Sequence, residues 1–166
     1  MRSRPPLLLY LDQNYLSGIV KGKPAFRELE PVLREAVERG AVAVPMAPAH
    51  RIESAARPDL PLLDLLHDLS HGLELPHERG AAERRCERHI AEVLAREFPE
   101  RKPRASDTID LSALALALPR CQLVTCDAFM ADVLTRSRLD VWFECELYNG
   151  RRRDVDRLRK RLAALT

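Results

Sequence analysis

Two consecutive runs decide how this chain is read: Ala105-Ser-Asp-Thr-Ile-Asp-Leu-Ser-Ala-Leu-Ala-Leu-Ala-Leu-Pro119 and Arg120-Cys-Gln-Leu-Val-Thr-Cys-Asp-Ala-Phe-Met-Ala-Asp-Val-Leu134. The first has a helix pattern: Ser106 can cap it, acids occupy its first turn, and Pro119 stops its apolar run. The second opens with a short buried strand, residues 122–125, and reaches Asp127, which can cap a further helix from Ala128. Asp107 and Asp110 then lie one turn apart near a helix N-terminus and face the same way. Asp127 lies just past a strand's carboxyl end. Acids in those two places predict a shared site whose other half comes from elsewhere.

That half is predicted upstream. Leu7-Leu-Leu-Tyr-Leu11 is a continuous apolar run of strand length, suited to a strand buried on both faces of a parallel sheet. It ends in Asp12-Gln13-Asn14-Tyr15, and polar residues directly after a buried strand mark the end of an α/β sheet where ligands gather. Asp12 as a mere cap of the next turn is the blander reading. Pro24 to Arg39 has an amphipathic stripe stopped by Gly40, and residues 41–45 form the second strand. Pro48 begins a helix carrying His50, Arg51 and Glu53, so Glu53 can overhang the same sheet end.

Residues 58–98 read as a helical insert broken at Gly72 to Gly80. His67 and His71 have the spacing of a metal pair but lack a metalloprotease pattern, and solvated histidines are the preferred reading. Arg79, Arg84, Arg85 and Arg88 stand among acids, as a salt-bridged surface first and an RNA contact second. The run Asp140-Val-Trp-Phe143 reads as the last strand. A basic helix, 151–165, follows and packs on the body through Val155, Leu158, Leu162 and Leu165. Its residues 151–162 hold seven Lys or Arg against two Asp, a face that either touches phosphates or is solvated.

A chain of 166 residues with 46% hydrophobic and 31% charged residues is expected to form one globular domain, 1–166. A net charge of +2 neither demands nor excludes nucleic acid. No apolar run reaches the roughly 20 residues of a membrane span, and residues 7–11 are too short for a signal peptide's apolar region. Cys86, Cys121, Cys126 and Cys145 form no Cys-x-x-Cys pair, so free thiols in a reducing cytoplasm are expected.

Strands alternating with helices predict an α/β fold in three layers, a central parallel sheet of about four strands between helices. With the first strand central and the Val44 and Val124 strands on its two sides, Asp12 and Asp127 become neighbours at a topological switch point. Glu53 and the pair Asp107/Asp110 stand above them. So many converging carboxylates demand protonation or a cation. All-oxygen ligands favour Mg²⁺ or Mn²⁺, which polarise a phosphodiester, activate water and steady a leaving oxygen. Metal-assisted phosphodiester hydrolysis is the reaction class these residues favour, with Asp12, Glu53, Asp107, Asp110 and Asp127 as candidate catalytic residues.

Four stretches carry a resemblance: Leu-Tyr-Leu-Asp-Gln-Asn at 9–14, Val-Pro-Met-Ala-Pro-Ala-His-Arg-Ile-Glu at 44–53, Asp-Leu-Ser-Ala-Leu-Ala-Leu-Ala-Leu-Pro at 110–119, and Leu-Val-Thr-Cys-Asp at 123–127. Together they resemble the PIN-domain ribonucleases, from the first strand to residue 143. The resemblance implies a metal-dependent endoribonuclease, toxin-like or RNA-processing, with Asp12, Glu53, Asp110 and Asp127 as ligands of Mg²⁺ or Mn²⁺. It makes Thr125 a supporting hydroxyl, and Asn14 can orient Asp12 or a water. Either Asp107 or Asp110 is the third acid. Many PIN domains have a further acid two residues after the equivalent of Asp127, where this chain has Phe129, and the insert is long beside the small toxin members. The expected partners are RNA, contacted by Arg151, Arg152 and Arg153, a small antitoxin-like protein, and a second copy in a homodimer. The alternative is a non-catalytic PIN-like module that binds RNA or protein. An aspartyl-phosphate phosphatase of the haloacid dehalogenase kind needs a second acid where Asn14 stands.

Overall fold

The computed structural model describes residues 5–166; of the basic, Pro-ended lead that the sequence shows at residues 1–6, residues 1–4 lie outside them. In chain order the elements are β1 (Leu7–Tyr10), α1 (Gln13–Val20), α2 (Pro24–Glu38), β2 (Val42–Ala43), α3 (Pro48–Ala55), α4 (Leu62–Ser70) and α5 (Ala81–Glu97). Then come α6 (Ala105–Ala117), β3 (Leu123–Thr125), α7 (Ala128–Ser137), α8 (Leu139–Trp142), β4 (Glu146–Tyr148) and α9 (Arg152–Ala163). The four strands pair in parallel in the order β2-β1-β3-β4. Tyr10 stands beside Val124, and Val124 beside Leu147. β1 is central, and the chain leaves it towards β2 on one side but leaves β3 towards β4 on the other. The crevice of the switch point therefore opens between the carboxyl ends of β1 and β3.

Alternation along the strands sorts the core into two halves. Leu9, Leu11 and Leu123 join a cluster with Leu29 and Leu33 of α2 and Val155, Leu158 and Leu162 of α9. Tyr10 and Val124 join the opposite cluster with Ile90 and Val93 of α5, Ala115 of α6 and Val133 of α7. Helices on both faces of one parallel sheet make the three-layer α/β architecture that the PIN resemblance implies. The insert belongs to these layers: α4 packs on α1 and α3, and α5 on α6 and α7. After α4, Leu73 and Leu75 exchange backbone hydrogen bonds with Met46, adding a parallel bridge beyond β2. No helix among the described residues is long and apolar enough to cross a membrane.

Two local expectations are corrected. Residues 140–143 are not the last strand; Leu139–Trp142 is the helical turn α8, and the strand is Glu146–Tyr148. Burial explains it: Val141 is 59% and Trp142 78% exposed, so this apolar run faces outward, whereas Tyr148 is buried against β3. Ser106 is not the cap of α6, which starts one residue earlier, after Arg104. Asp107, at the third helical position, reaches back to accept the Arg104 N–H at 2.7 Å, a use of an early acid that leaves Ser106 exposed.

Gly18 of α1 lies against the Phe26 ring, and a Cβ there would come within 2.7 Å of it. The ring is itself held edge-on by Tyr15 at 5.1 Å. Gly→Ala inside a helix ordinarily gains about 1 kcal/mol. At this contact overpacking outweighs that gain, and Gly18→Ala is expected to destabilise the fold by about 1–2 kcal/mol, read as a lower midpoint in urea unfolding. An unchanged or higher midpoint would show the contact to be loose.

Candidate functional site

Four carboxylates from four separate segments line one small cavity at the carboxyl end of the sheet: Asp12 after β1, Glu53 on α3, Asp110 on α6 and Asp127 after β3. Tyr10 and Thr125 complete its polar lining. The cavity offers about 10 Å³, room for one water-sized sphere. It can admit a water or a bare ion, and any larger substrate has to lie across its rim. A roomier cleft of about 310 Å³ between α5 and α8, beside His89 and Trp142, has a single carboxylate in its lining, Glu92.

Each acid is placed by a local device. Asp12 caps α1, accepting the Tyr15 N–H at 3.3 Å. Its backbone N–H donates to Thr125 Oγ1 at 2.7 Å, and that hydroxyl donates back to Asp12 Oδ1 at 2.9 Å. The fully buried Thr125 thus locks the ends of β1 and β3 together through the carboxylate. Asp127 caps α7, accepting the Met130 N–H at 2.7 Å. Capping and site duty coincide in both aspartates: one oxygen holds the helix while the carboxyl group still lines the cavity.

Glu53 is placed through His50, one turn earlier on α3. His50 Nδ1 accepts the Ala47 N–H at 2.8 Å, so Nε2 carries the ring proton and donates to the Leu11 carbonyl at 2.6 Å. The ring stacks on Tyr10 at 5.2 Å. Gln13 Nε2 adds a long bond, 3.4 Å, to the Glu53 carbonyl. These contacts tie α3 to the end of β1 beside Asp12. Burial holds the imidazole neutral, with its pKa lowered to about 4. The sequence contained His50, but nothing in its spacing distinguished this clamp from a solvated ring.

Asp107 and Asp110 part company. Asp110 lines the cavity, whereas Asp107 is taken by Arg101, whose Nη1 and Nη2 donate to its two oxygens at 2.5 and 3.1 Å. That hydrogen-bonded pair holds the Asp107 pKa below its ordinary value. Asn14 is exposed, and it is its backbone N–H that supports the Asp12 carboxylate. Arg151, Arg152 and Arg153 are exposed at the start of α9. The Tyr148 carbonyl accepts from Cys126 N–H, and Tyr15 Oη donates to the Asn149 carbonyl at 2.7 Å, which brings the start of α9 to the same end of the sheet. His67 and His71 are exposed, and the four cysteines are buried free thiols.

The donor set fits a hard divalent cation. All four side chains offer oxygen, and Glu53 Oε2 is buried without a hydrogen-bond partner. The cluster is under electrostatic stress. Burial, then the charges of Asp110 and Asp12, push Glu53 up to about 8. Burial first and neighbouring carboxylates next push Asp110 up to about 6; burial outweighs the Thr125 and Tyr15 hydrogen bonds to bring Asp12 to about 6. Among the described residues no three His, Cys, Asp or Glu side chains stand close enough to surround one ion already. Like charges lining a common cavity repel, and drawing in toward an ion would relieve that repulsion. No family model, curated protein or solved structure matches the chain, so the chemistry has to be read from the side chains themselves.

The raised carboxyls set a pH dependence. The native state keeps protons that the unfolded chain releases, so without metal the stability present at low pH is lost as pH rises through these pKa values. His50 acts in the opposite sense between its native value of about 4 and its ordinary 6.5, and Asp12 and Asp110 are spent above about 6. Between pH 6.5 and 8, Glu53 alone of these four still titrates. Chelator-treated protein is expected to lose stability across that window in chemical unfolding, and Glu53→Gln to flatten the loss. A flat wild-type profile would contradict the burial of this charge.

Proposed function

We propose that this chain is a Mg²⁺- or Mn²⁺-dependent endoribonuclease of the PIN kind, hydrolysing RNA phosphodiesters at Asp12, Glu53, Asp110 and Asp127. The observation that carries this reading is the convergence of four carboxylates on a cavity the size of one water, with a buried Glu53 oxygen left unpartnered. Bound by these residues, a divalent cation would polarise the phosphodiester and acidify water. The chain's own groups do the rest. Asp12 and Asp127 are held in place by the N–H groups they cap. Glu53, protonated near neutral pH while the cluster has no counter-ion, would give up that proton to hold a cation.

The surroundings favour a polyanion. The ion pairs of α9 use Arg157, Arg159 and Arg161, while Arg151, Arg152 and Arg153 take no part in them. Lys102 and Arg104 are exposed just before α6, which carries Asp110. A cavity too small for a nucleotide, with cations at the same end of the sheet that form no ion pair among the described residues, suits a strand lying across the rim. A second reading, a non-catalytic PIN-like module, is favoured by one fact: the carboxylates do not yet stand at ligand spacing.

Cleavage of a mixed RNA pool in Mn²⁺ separates the two. Wild type is expected to cleave, and Asp127→Asn to lose at least about a hundredfold in rate while staying folded, because asparagine still accepts the Met130 N–H. No cleavage by wild type favours the binding module; equal cleavage by both proteins sinks the mechanism at this site. Replacing Arg151, Arg152 and Arg153 by Ala is expected to weaken RNA binding and its salt dependence while cleavage at saturating RNA survives. Unchanged binding with an unchanged salt slope would make them a solvated face.

A further inference from the structure

Arg101 is more tightly built into its place than a loop arginine needs to be. It lies between α5 and α6, and its guanidinium donates end-on to both oxygens of Asp107, at 2.5 and 3.1 Å. Asp107 is itself fixed by the Arg104 N–H at 2.7 Å. The guanidinium carbon Cζ lies over the Phe129 ring, 4.0 Å from its centre, and Phe98 supports that ring edge-on at 5.0 Å. The Arg101 backbone N–H closes the loop on the Phe98 carbonyl at 3.1 Å. Side-chain exposure is only 23% for Arg101 and 19% for Asp107, against about half for many of the surface arginines of this chain that pair within one helix.

Both anchors stand near cavity acids along the chain. Asp107 is one helical turn before Asp110, and Phe129 is two residues after Asp127, so the guanidinium is held between the supports of two cavity acids. The Arg101 charge lowers Asp110, and Asp127 and Asp110 act on Arg101 in return. A guanidinium has five N–H donors, and Asp107 uses two. Among the described residues the other three, including Nε–H, have no partner. Asp107 cancels the net charge of the pair but leaves those donors free and immobile, which is the form in which arginine recognises phosphate. The phosphate of an approaching strand would meet several carboxylates first, and a fixed donor at the rim answers that repulsion.

We propose that Arg101 is the phosphate-binding residue of this site, held by Asp107 and Phe129 so that its free N–H groups receive the non-bridging oxygens of the phosphodiester above the cavity. This rests on the nuclease reading for the identity of the substrate. Arg101 neither gives nor takes a proton; it contributes hydrogen bonds that strengthen as charge builds on the phosphoryl oxygens. Asp107 and Phe129 are positioning residues. Phe129, standing where many PIN domains have another acid, serves here as the platform for a cation.

The test uses the full chain, with Arg101→Met, which keeps an unbranched apolar stem and loses the donors, and Arg101→Lys, which keeps the charge and loses the fork. Binding of a single-stranded 2′-O-methyl oligoribonucleotide, which resists cleavage by that substitution and by chelator, is measured against salt. Arg101→Met is expected to bind about tenfold more weakly, with the slope of log affinity against log salt reduced by about 0.7, the value for one lost phosphate contact on a single strand. In Mn²⁺, kcat should fall about a hundredfold, while Mn²⁺ affinity measured by calorimetry stays undiminished because the variant removes no ligand. Arg101→Lys should recover the salt slope and only part of kcat. Wild-type binding and slope in folded Arg101→Met would overturn the proposal, as would a loss of Mn²⁺ affinity matching the loss of kcat. If Arg101→Met does not fold, wild-type affinity and kcat in Arg101→Lys overturn it instead. Failure of the wild type to cleave RNA would defeat the nuclease reading, and the binding measurement would still decide whether Arg101 grips phosphate.

Discussion

Like charge in a confined space is the constraint on which this structure turns. Asp12, Glu53, Asp110 and Asp127 share a cavity that holds about one water-sized sphere, and burial has already raised three of them. A fold keeps such an arrangement only if the backbone over-determines it. Here it does so through obligations the chain has anyway. Asp12 and Asp127 are bound by the helices they cap, and Thr125 stitches the first of them to the neighbouring strand. The two strands that end in these aspartates must be adjacent, and their parallel pairing at Leu9–Leu123 and Tyr10–Val124 is buried on both faces. The core holds the strands and the strands hold the charges, so much of the folding energy of the central sheet is available to oppose the repulsion.

His50 extends the same logic to the third layer. A histidine that is neutral across the physiological range can bridge the Ala47 amide and the Leu11 carbonyl without adding charge to a crowded region. Lysine or arginine there would place a fixed cation beside the carboxylate cluster. Arg101 shows the complementary choice: its cation is balanced by Asp107 and lies over the Phe129 ring. The two acids that sequence spacing left equivalent thus acquire separate duties, Asp110 toward the cavity and Asp107 toward the arginine.

Much of the fold was legible because its signals are local. An apolar run ending in Asp12 and another ending in Thr125-Cys126-Asp127 mark strand ends whatever surrounds them, and the alternation of strands with helices implies the parallel sheet. What escaped depends on tertiary partners. The apolar residues at 141 and 142 look like strand until their exposure is known, and Glu146-Leu-Tyr148, with only Tyr148 fully buried, is too short and too polar to show as a strand until it pairs with β3. The choice between Asp107 and Asp110 needed the approach of a loop whose path no periodicity encodes. The duties of His50 and Arg101 are likewise set by groups distant in the chain, a carbonyl at Leu11 and a ring at Phe129.

Calorimetric titration of Mn²⁺ into the chelator-treated protein at pH 7, in two buffers of different ionisation heat, decides whether these four carboxylates take up a divalent cation. Saturable binding is expected, with release of about one proton from the Glu53 carboxyl whose pKa stands at about 8, and with binding lost in Asp12→Asn. Absence of binding at millimolar Mn²⁺, or binding without proton release that Asp12→Asn leaves unchanged, would contradict it.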